Sequence, residues 1–190
     1  MTFEAEFAVV DVITQSALPT HSVDAFALSV IKMERQMRKL FTYLIYQSGA
    51  FGPQDIEPLK AVLGANHRAY FEGFERGINS LYSTSVEDMV GAEYVELRPV
   101  IDDAIDVRNK VFHGQLTARC LQQEDLGVLS AAIRRWCFSL ARGADAEIGY
   151  DGFGRNSFRK GSVEIADGFL TQVRTPEEYR TFVRRHVARP

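Results

Sequence analysis

Ile101-Asp102-Asp103-Ala104-Ile105-Asp106-Val107-Arg108-Asn109-Lys110-Val111-Phe112-His113-Gly114 is the stretch on which the reading of this chain turns. Leu97, Ile101, Ile105 and Phe112 give one apolar face, so the spacing predicts an amphipathic helix from Tyr94 to Phe112, with Pro99 in its early part. Gly114 is where that helix stops. Arg108, Asn109 and His113 therefore fall near its C-terminal end, where the helix dipole favours a protonated imidazole.

The same periodicity extends on both sides. Phe26, Val30, Met33, Met37, Leu40, Phe41, Leu44 and Ile45 predict a helix over 22–48, capped by Ser22, with Asp24 in its first turn and Lys32, Arg35, Arg38 and Lys39 off the stripe. Met33 and Met37 read as core. The helix ends at Ser48-Gly49, before a Phe51-Gly52-Pro53 turn. Asp55 to Ser83 predicts helix in one or two pieces. Gly64, Gly73 and Gly77 weaken that helix, or let a neighbouring helix approach closely. Thr84-Ser85-Val86-Glu87 resembles a capping box opening a short helix, 87–90. Gln122 to Arg142 predicts the last long helix of the body. Residues 1–21 are open between a strand and a short helix. No strand-like alternation stands before residue 145, so the body reads as an all-α bundle of four main helices.

After Gly143 the texture changes. Residues 148–162 mix glycine with Tyr150, Phe153 and Phe158 and with Arg155, Arg159 and Lys160. So many glycines predict a loop or short hairpin rather than a helix. Thr175-Pro176-Glu177-Glu178 then opens a final helix to about His186. The organisation expected is a bundle over 1–143 with an N-terminal extension, and a C-terminal extension over 144–190 that packs on it. In that extension Arg155, Arg159 and Lys160 are candidate RNA-binding residues, with the three aromatics stacking bases. The alternative is a loop that folds back and packs those aromatics.

At 190 residues and 46% hydrophobic, the chain has enough apolar content for a real core. No run of about 18 apolar residues suggests a membrane span, and the acidic N-terminus (Glu4, Glu6, Asp11) does not resemble a secretory leader. Cys120 and Cys137 read as thiols of a reducing cytoplasm. Two cysteines and the scattered His21, His67, His113 and His186 lack zinc-ligand spacing, so neither metal nor cofactor is expected. The net charge of −3 is uneven: residues 1–133 carry 11 Lys and Arg against 18 Asp and Glu, and residues 134–190 carry 11 against 7.

Asn109 and His113, four apart, share a helical face. Arg108 and His113 lie about 140° apart around it, a separation a long arginine spans. Cleaving RNA without metal needs a base for the 2′-hydroxyl, a stabiliser of the phosphorane and an acid for the leaving oxygen. Histidine titrates near neutrality and arginine presents a fork matched to phosphate oxygens. One Arg-His pair supplies half of the acid–base pair, and two copies in a homodimer supply all of it. Alternatively, Arg108 is a salt-bridge partner of Asp103 or Glu124.

Arg108-Asn109-Lys110-Val111-Phe112-His113 resembles the Arg-polar-x-x-x-His signature of the HEPN superfamily (higher eukaryotes and prokaryotes nucleotide-binding), and the resemblance extends over about residues 22–142. It implies a four-helix bundle that dimerises with the two motifs facing one cleft. It implies a metal-independent endoribonuclease of toxin–antitoxin or phage-defence type that leaves 2′,3′-cyclic phosphate and 5′-hydroxyl ends, with a possible antitoxin protein as partner. Arg108 would then stabilise the phosphorane, His113 act as acid and base, and Asn109 be the polar helper. An acidic residue on the first long helix often assists in that family. Glu34 is a candidate, although it reads more simply as solvated surface. Some members carry a tyrosine two residues after the histidine for modification by an antitoxin; Gln115 stands there, so that control is not expected. The alternative function is a catalytically inactive HEPN module binding RNA, nucleotide or a protein partner.

Overall fold

The computed structural model describes residues 3–49, 51–66, 70–112 and 121–188. The described chain is helical: α1 Phe3–Thr14, α2 His21–Ser48, α3 Ile56–Gly64, α4 Phe71–Leu81, α5 Val86–Val90, α6 Tyr94–Phe112, α7 Gln123–Ile148 and α8 Pro176–Phe182. Extended pairing among the described residues is limited to a bridge between Tyr82 and Phe169. No described helix is long and apolar enough to cross a membrane.

The axis of the molecule is α2, on which α1, α4, α6 and α7 all pack. Its predicted stripe, Phe26 through Ile45, is fully buried, Met33 and Met37 included. Burying one such side chain contributes roughly 1.5–3 kcal/mol, so this row outweighs any cap or surface pair in holding the bundle together. The N-terminal segment is a helix rather than a strand. Phe3, Phe7 and Val10 follow a helical spacing toward α2, and the buried Glu6 carboxylate accepts from Lys32 at 3.1 Å and Arg35 at 3.0 Å. A buried carboxylate persists only when paired in this way.

The 55–83 region is helix in two pieces, α3 and α4, one of the two forms its spacing allows. Two boundaries differ from the sequence reading. In α5, Ser85 is the cap, and its hydroxyl accepts from the Asp88 N–H at 3.0 Å, one residue later than expected. Most consequentially, α7 runs past Arg142-Gly143 to Ile148 and stops at Gly149, which is left-handed at φ 66°. Gly143 is not a stop signal. A Cβ there would lie 1.8 Å from the Met89 carbonyl oxygen, so its bare backbone is what lets α5 lie against α7. Gly73 plays the same part on α4, where a Cβ would lie 2.1 Å from the carbonyl oxygen of Val187. That contact seats the C-terminal π-turn, Val183–Val187, which continues α8.

Between α7 and α8 the chain is irregular and lies on the bundle. The Asp151 carboxylate accepts the N–H groups of Phe153 and Gly154, both at 2.8 Å, turning the backbone. Tyr150 and Phe153 go inward. Tyr150 packs on Tyr43 at 4.5 Å between ring centres, and Phe153 meets the edges of Phe3 and Phe7. The alternative of a loop that packs its aromatics therefore describes these two residues. Thr175 caps α8, accepting from the Glu178 N–H at 3.2 Å.

Candidate functional site

Arg108 projects from the last two turns of α6 toward the middle of α2. One arm, Nη2, donates to Glu34 Oε2 at 2.8 Å; the other, Nη1, donates to Asn109 Oδ1 at 2.8 Å. Its guanidinium lies 5.4 Å from the ring centre of Phe112, one turn along the same face. The Nε atom is buried with no partner among the described residues. Arg108 and Glu34 are each about one-fifth exposed, 21% and 23%. Among the described residues the ion-pair partner of Arg108 is thus Glu34, and neither Asp103 nor Glu124. Glu34 is correspondingly a half-buried carboxylate rather than solvated surface.

The pair forms part of the wall of a cleft of about 320 Å³. Arg38, four residues after Glu34 and on the same face of α2, lines it too, with its guanidinium 5.7 Å from the ring centre of Phe74. Asn66 beyond α3 and Tyr70, Phe71 and Phe74 at the start of α4 close the other side. Burial pushes the Glu34 carboxyl above its ordinary value of 4.5, and outweighs the opposing pull of Arg108 and Arg38. The Glu34 carboxyl therefore takes up a proton more readily than a surface carboxylate.

The described part of α6 ends at Phe112. His113, with Gly114, Gln115 and Cys120, lies outside the described residues, as does His67. Of the expected catalytic set, the structure brings Arg108 and Asn109 together, with His113 the next residue of the chain after Phe112.

The tail residues are elsewhere. Arg155 donates through Nη2 to the Gly149 carbonyl at 2.6 Å and to the Tyr43 hydroxyl at 3.2 Å, and its guanidinium lies 5.4 and 5.5 Å from the ring centres of Tyr43 and Tyr150, to one side of that packed pair. Tyr43 is nine residues from Glu34, half a turn round α2, so Arg155 faces away from the cleft. Lys160 donates to the carbonyls of Tyr46 and Gly49, the open end of α2. A cation there matches the helix dipole, which explains its place without RNA. Arg159 is exposed, and its carbonyl accepts from Gln47 at 3.0 Å. Of the two readings open for Tyr150 and Phe153, base stacking and packing on the bundle, their burial fits packing. The donors of Arg155 and Lys160 named above serve the fold.

Sequence reasoning missed Arg38. The available signal was Glu34 and Arg38 four apart in mid-helix, off the apolar stripe. What it lacked was knowledge that α6 would bring Arg108 to the same place.

Fold and cleft together define an all-helical chain with a half-buried arginine–glutamate pair beside a second arginine. Comparison with family models, with curated proteins and with solved structures found no match for this chain.

Proposed function

We propose that this chain is a metal-independent endoribonuclease of the HEPN type, built on a four-helix bundle and acting in toxin–antitoxin control or phage defence. The observation that carries the reading is Arg108 at the end of α6, in a polar cleft with Glu34 and Arg38, with His113 the residue that follows Phe112. In this reading Arg108 steadies the phosphorane, His113 transfers protons, and Asn109 keeps the guanidinium in place through its 2.8 Å hydrogen bond. An entering phosphate exchanges with Glu34 as the counter-ion of Arg108. Attack of the 2′-oxygen on phosphorus expels the 5′-oxygen, leaving a 2′,3′-cyclic phosphate and a 5′-hydroxyl.

One histidine cannot be base and acid in the same step, so a second copy supplies the other. Apolar side chains around the cleft favour such a partner: Tyr70 is 37% exposed, Ile31 49% and Phe112 54%. Phe112 lies against Arg108, Tyr70 lines the cleft and Ile31 is one turn before Glu34, a rim of the kind that interfaces bury.

A second reading is favoured by the inward turn of the Arg108 fork, whose arms donate to Glu34 and Asn109: a module that binds RNA, nucleotide or a protein partner without cutting. Incubating purified protein with mixed RNA and mapping the ends separates the two. Cyclic-phosphate ends that form in chelator and vanish in His113→Ala support the nuclease. Binding without cleavage supports the module. Cleavage by His113→Ala equal to wild type sinks the proposal.

A further inference from the structure

We infer that Arg38 is the residue that captures a backbone phosphate of single-stranded RNA in the cleft, before Arg108 is released from Glu34. This rests on the ribonuclease reading and adds a substrate-binding residue to it. The charge pattern of the cleft carries the inference. Glu34 is matched by Arg108 at 2.8 Å, and the other arm of Arg108 is bonded to Asn109. Arg38 has no ion pair among the described residues, and its side chain is exposed. Arg108 and Arg38 both act on Glu34, the Glu72 carboxylate stands near enough to act on it as well, and Arg38 is the cation of the cleft lining without an ion pair among the described residues.

Position adds to charge. The Arg38 guanidinium lies 5.7 Å from the Phe74 ring centre, in a cleft whose walls include Phe71 and Phe74. A cation–π contact of this kind uses no N–H donor, so the guanidinium keeps its donors for phosphate oxygens. A concave site also screens an anion less than open water does, so the same charge attracts more strongly there than on a free surface. Arg76, an exposed arginine on α4 outside the cleft lining, has neither advantage.

The test is fluorescence anisotropy with an RNA of about 12 nucleotides carrying 2′-O-methyl on every ribose, which no 2′-hydroxyl mechanism can cut. We expect Arg38→Ala to bind about tenfold more weakly, the loss of one charge-assisted contact. The slope of log affinity against log salt should fall in magnitude by about 0.7. Arg38→Lys should restore much of the affinity, and Arg76→Ala should match wild type. On cleavable RNA, Arg38→Ala should raise KM and leave kcat near wild type. If Arg38→Ala folds poorly, Arg38→Gln reads the same loss of charge with more of the stem retained. Unchanged affinity and salt slope in the variant overturn the inference while leaving the nuclease reading intact. AMP binding as tight as the RNA overturns it in favour of a nucleotide pocket, and inorganic phosphate that competes at equal concentration does so in favour of a simple anion site. A wild type that neither binds nor cuts RNA sinks the ribonuclease reading itself.

Discussion

Arg108 Nη2 donates to Glu34 Oε2 at 2.8 Å, tying the end of α6 to the middle of α2 across a chain separation of 74 residues. The contact is both a piece of the fold and the centre of the candidate site, so its two roles must be separated by measurement. Removing Arg108 alone leaves a half-buried carboxylate without its nearest cation, and Arg108→Ala should cost about 1–3 kcal/mol in urea unfolding. Arg108→Ala combined with Glu34→Gln should recover part of that loss, because no charge is then stranded. Strictly additive losses would mean that the two side chains do not act as a pair.

The pH dependence of Glu34 has a definite sign. Its folded-state carboxyl titrates above the ordinary 4.5 because burial disfavours the anion. The folded state therefore holds this proton more tightly than the unfolded chain, and the stability it contributes is full below the unfolded value. That stability is lost as pH rises through the raised folded value. Wild type should accordingly lose stability relative to Glu34→Gln as pH is raised from about 4.5 toward neutrality. Paired denaturant titrations across that range give the answer; a difference that stays flat or moves the other way contradicts the assignment.

Two glycines of α7 should respond oppositely to alanine. At Gly143 a Cβ would lie 1.8 Å from the Met89 carbonyl oxygen, so Gly143→Ala must push α5 away from α7, a loss of about 2 kcal/mol or more. At Gly127 nothing lies within 4 Å of the added carbon. Gly127→Ala should stabilise by about 0.5–1 kcal/mol through helix propensity, raising Tm by a few degrees. Equal melting of the two variants would contradict the close approach of α5 and α7.

The tail is expected to matter to stability and not to RNA. Lys160→Ala removes the cation from the end of α2 and should cost up to about 1 kcal/mol, and Arg155→Ala should cost a similar amount. RNA affinity should be the same in both variants as in wild type. A tenfold loss of affinity with unchanged melting would return these residues to an RNA-binding role.

Dimerisation is tested at Ile31, 49% exposed and one turn from Glu34. Ile31→Asp should shift the mass seen by light scattering from dimer to monomer and abolish cleavage without lowering Tm. A wild type that is monomeric at the concentrations where it cuts RNA would refute the shared site.

Much of this molecule is written in local pattern. The apolar row from Phe26 to Ile45 determined α2, the spacing of Leu97, Ile101 and Ile105 determined α6 (Phe112, expected on the same apolar face, is 54% exposed), and Thr175-Pro176 determined the start of α8. Helical spacing and capping chemistry act over a few residues, so one chain segment carries the whole signal. The glycines show where that locality fails. Gly143 has the sequence look of a helix end, and only the Met89 carbonyl 1.8 Å from its missing Cβ shows why the helix runs on to Ile148. The tail shows the same limit: Arg155 and Lys160 look like ligands for phosphate until Tyr43, Gly149 and the open end of α2 are seen to receive their donors. The site divides in the same way. Sequence alone determined that Arg108 and Asn109 stand together near a helix end. Tertiary structure decided that Glu34 and Arg38 join Arg108, because a half-buried charge takes whichever opposite charge the packing of α6 against α2 brings within reach.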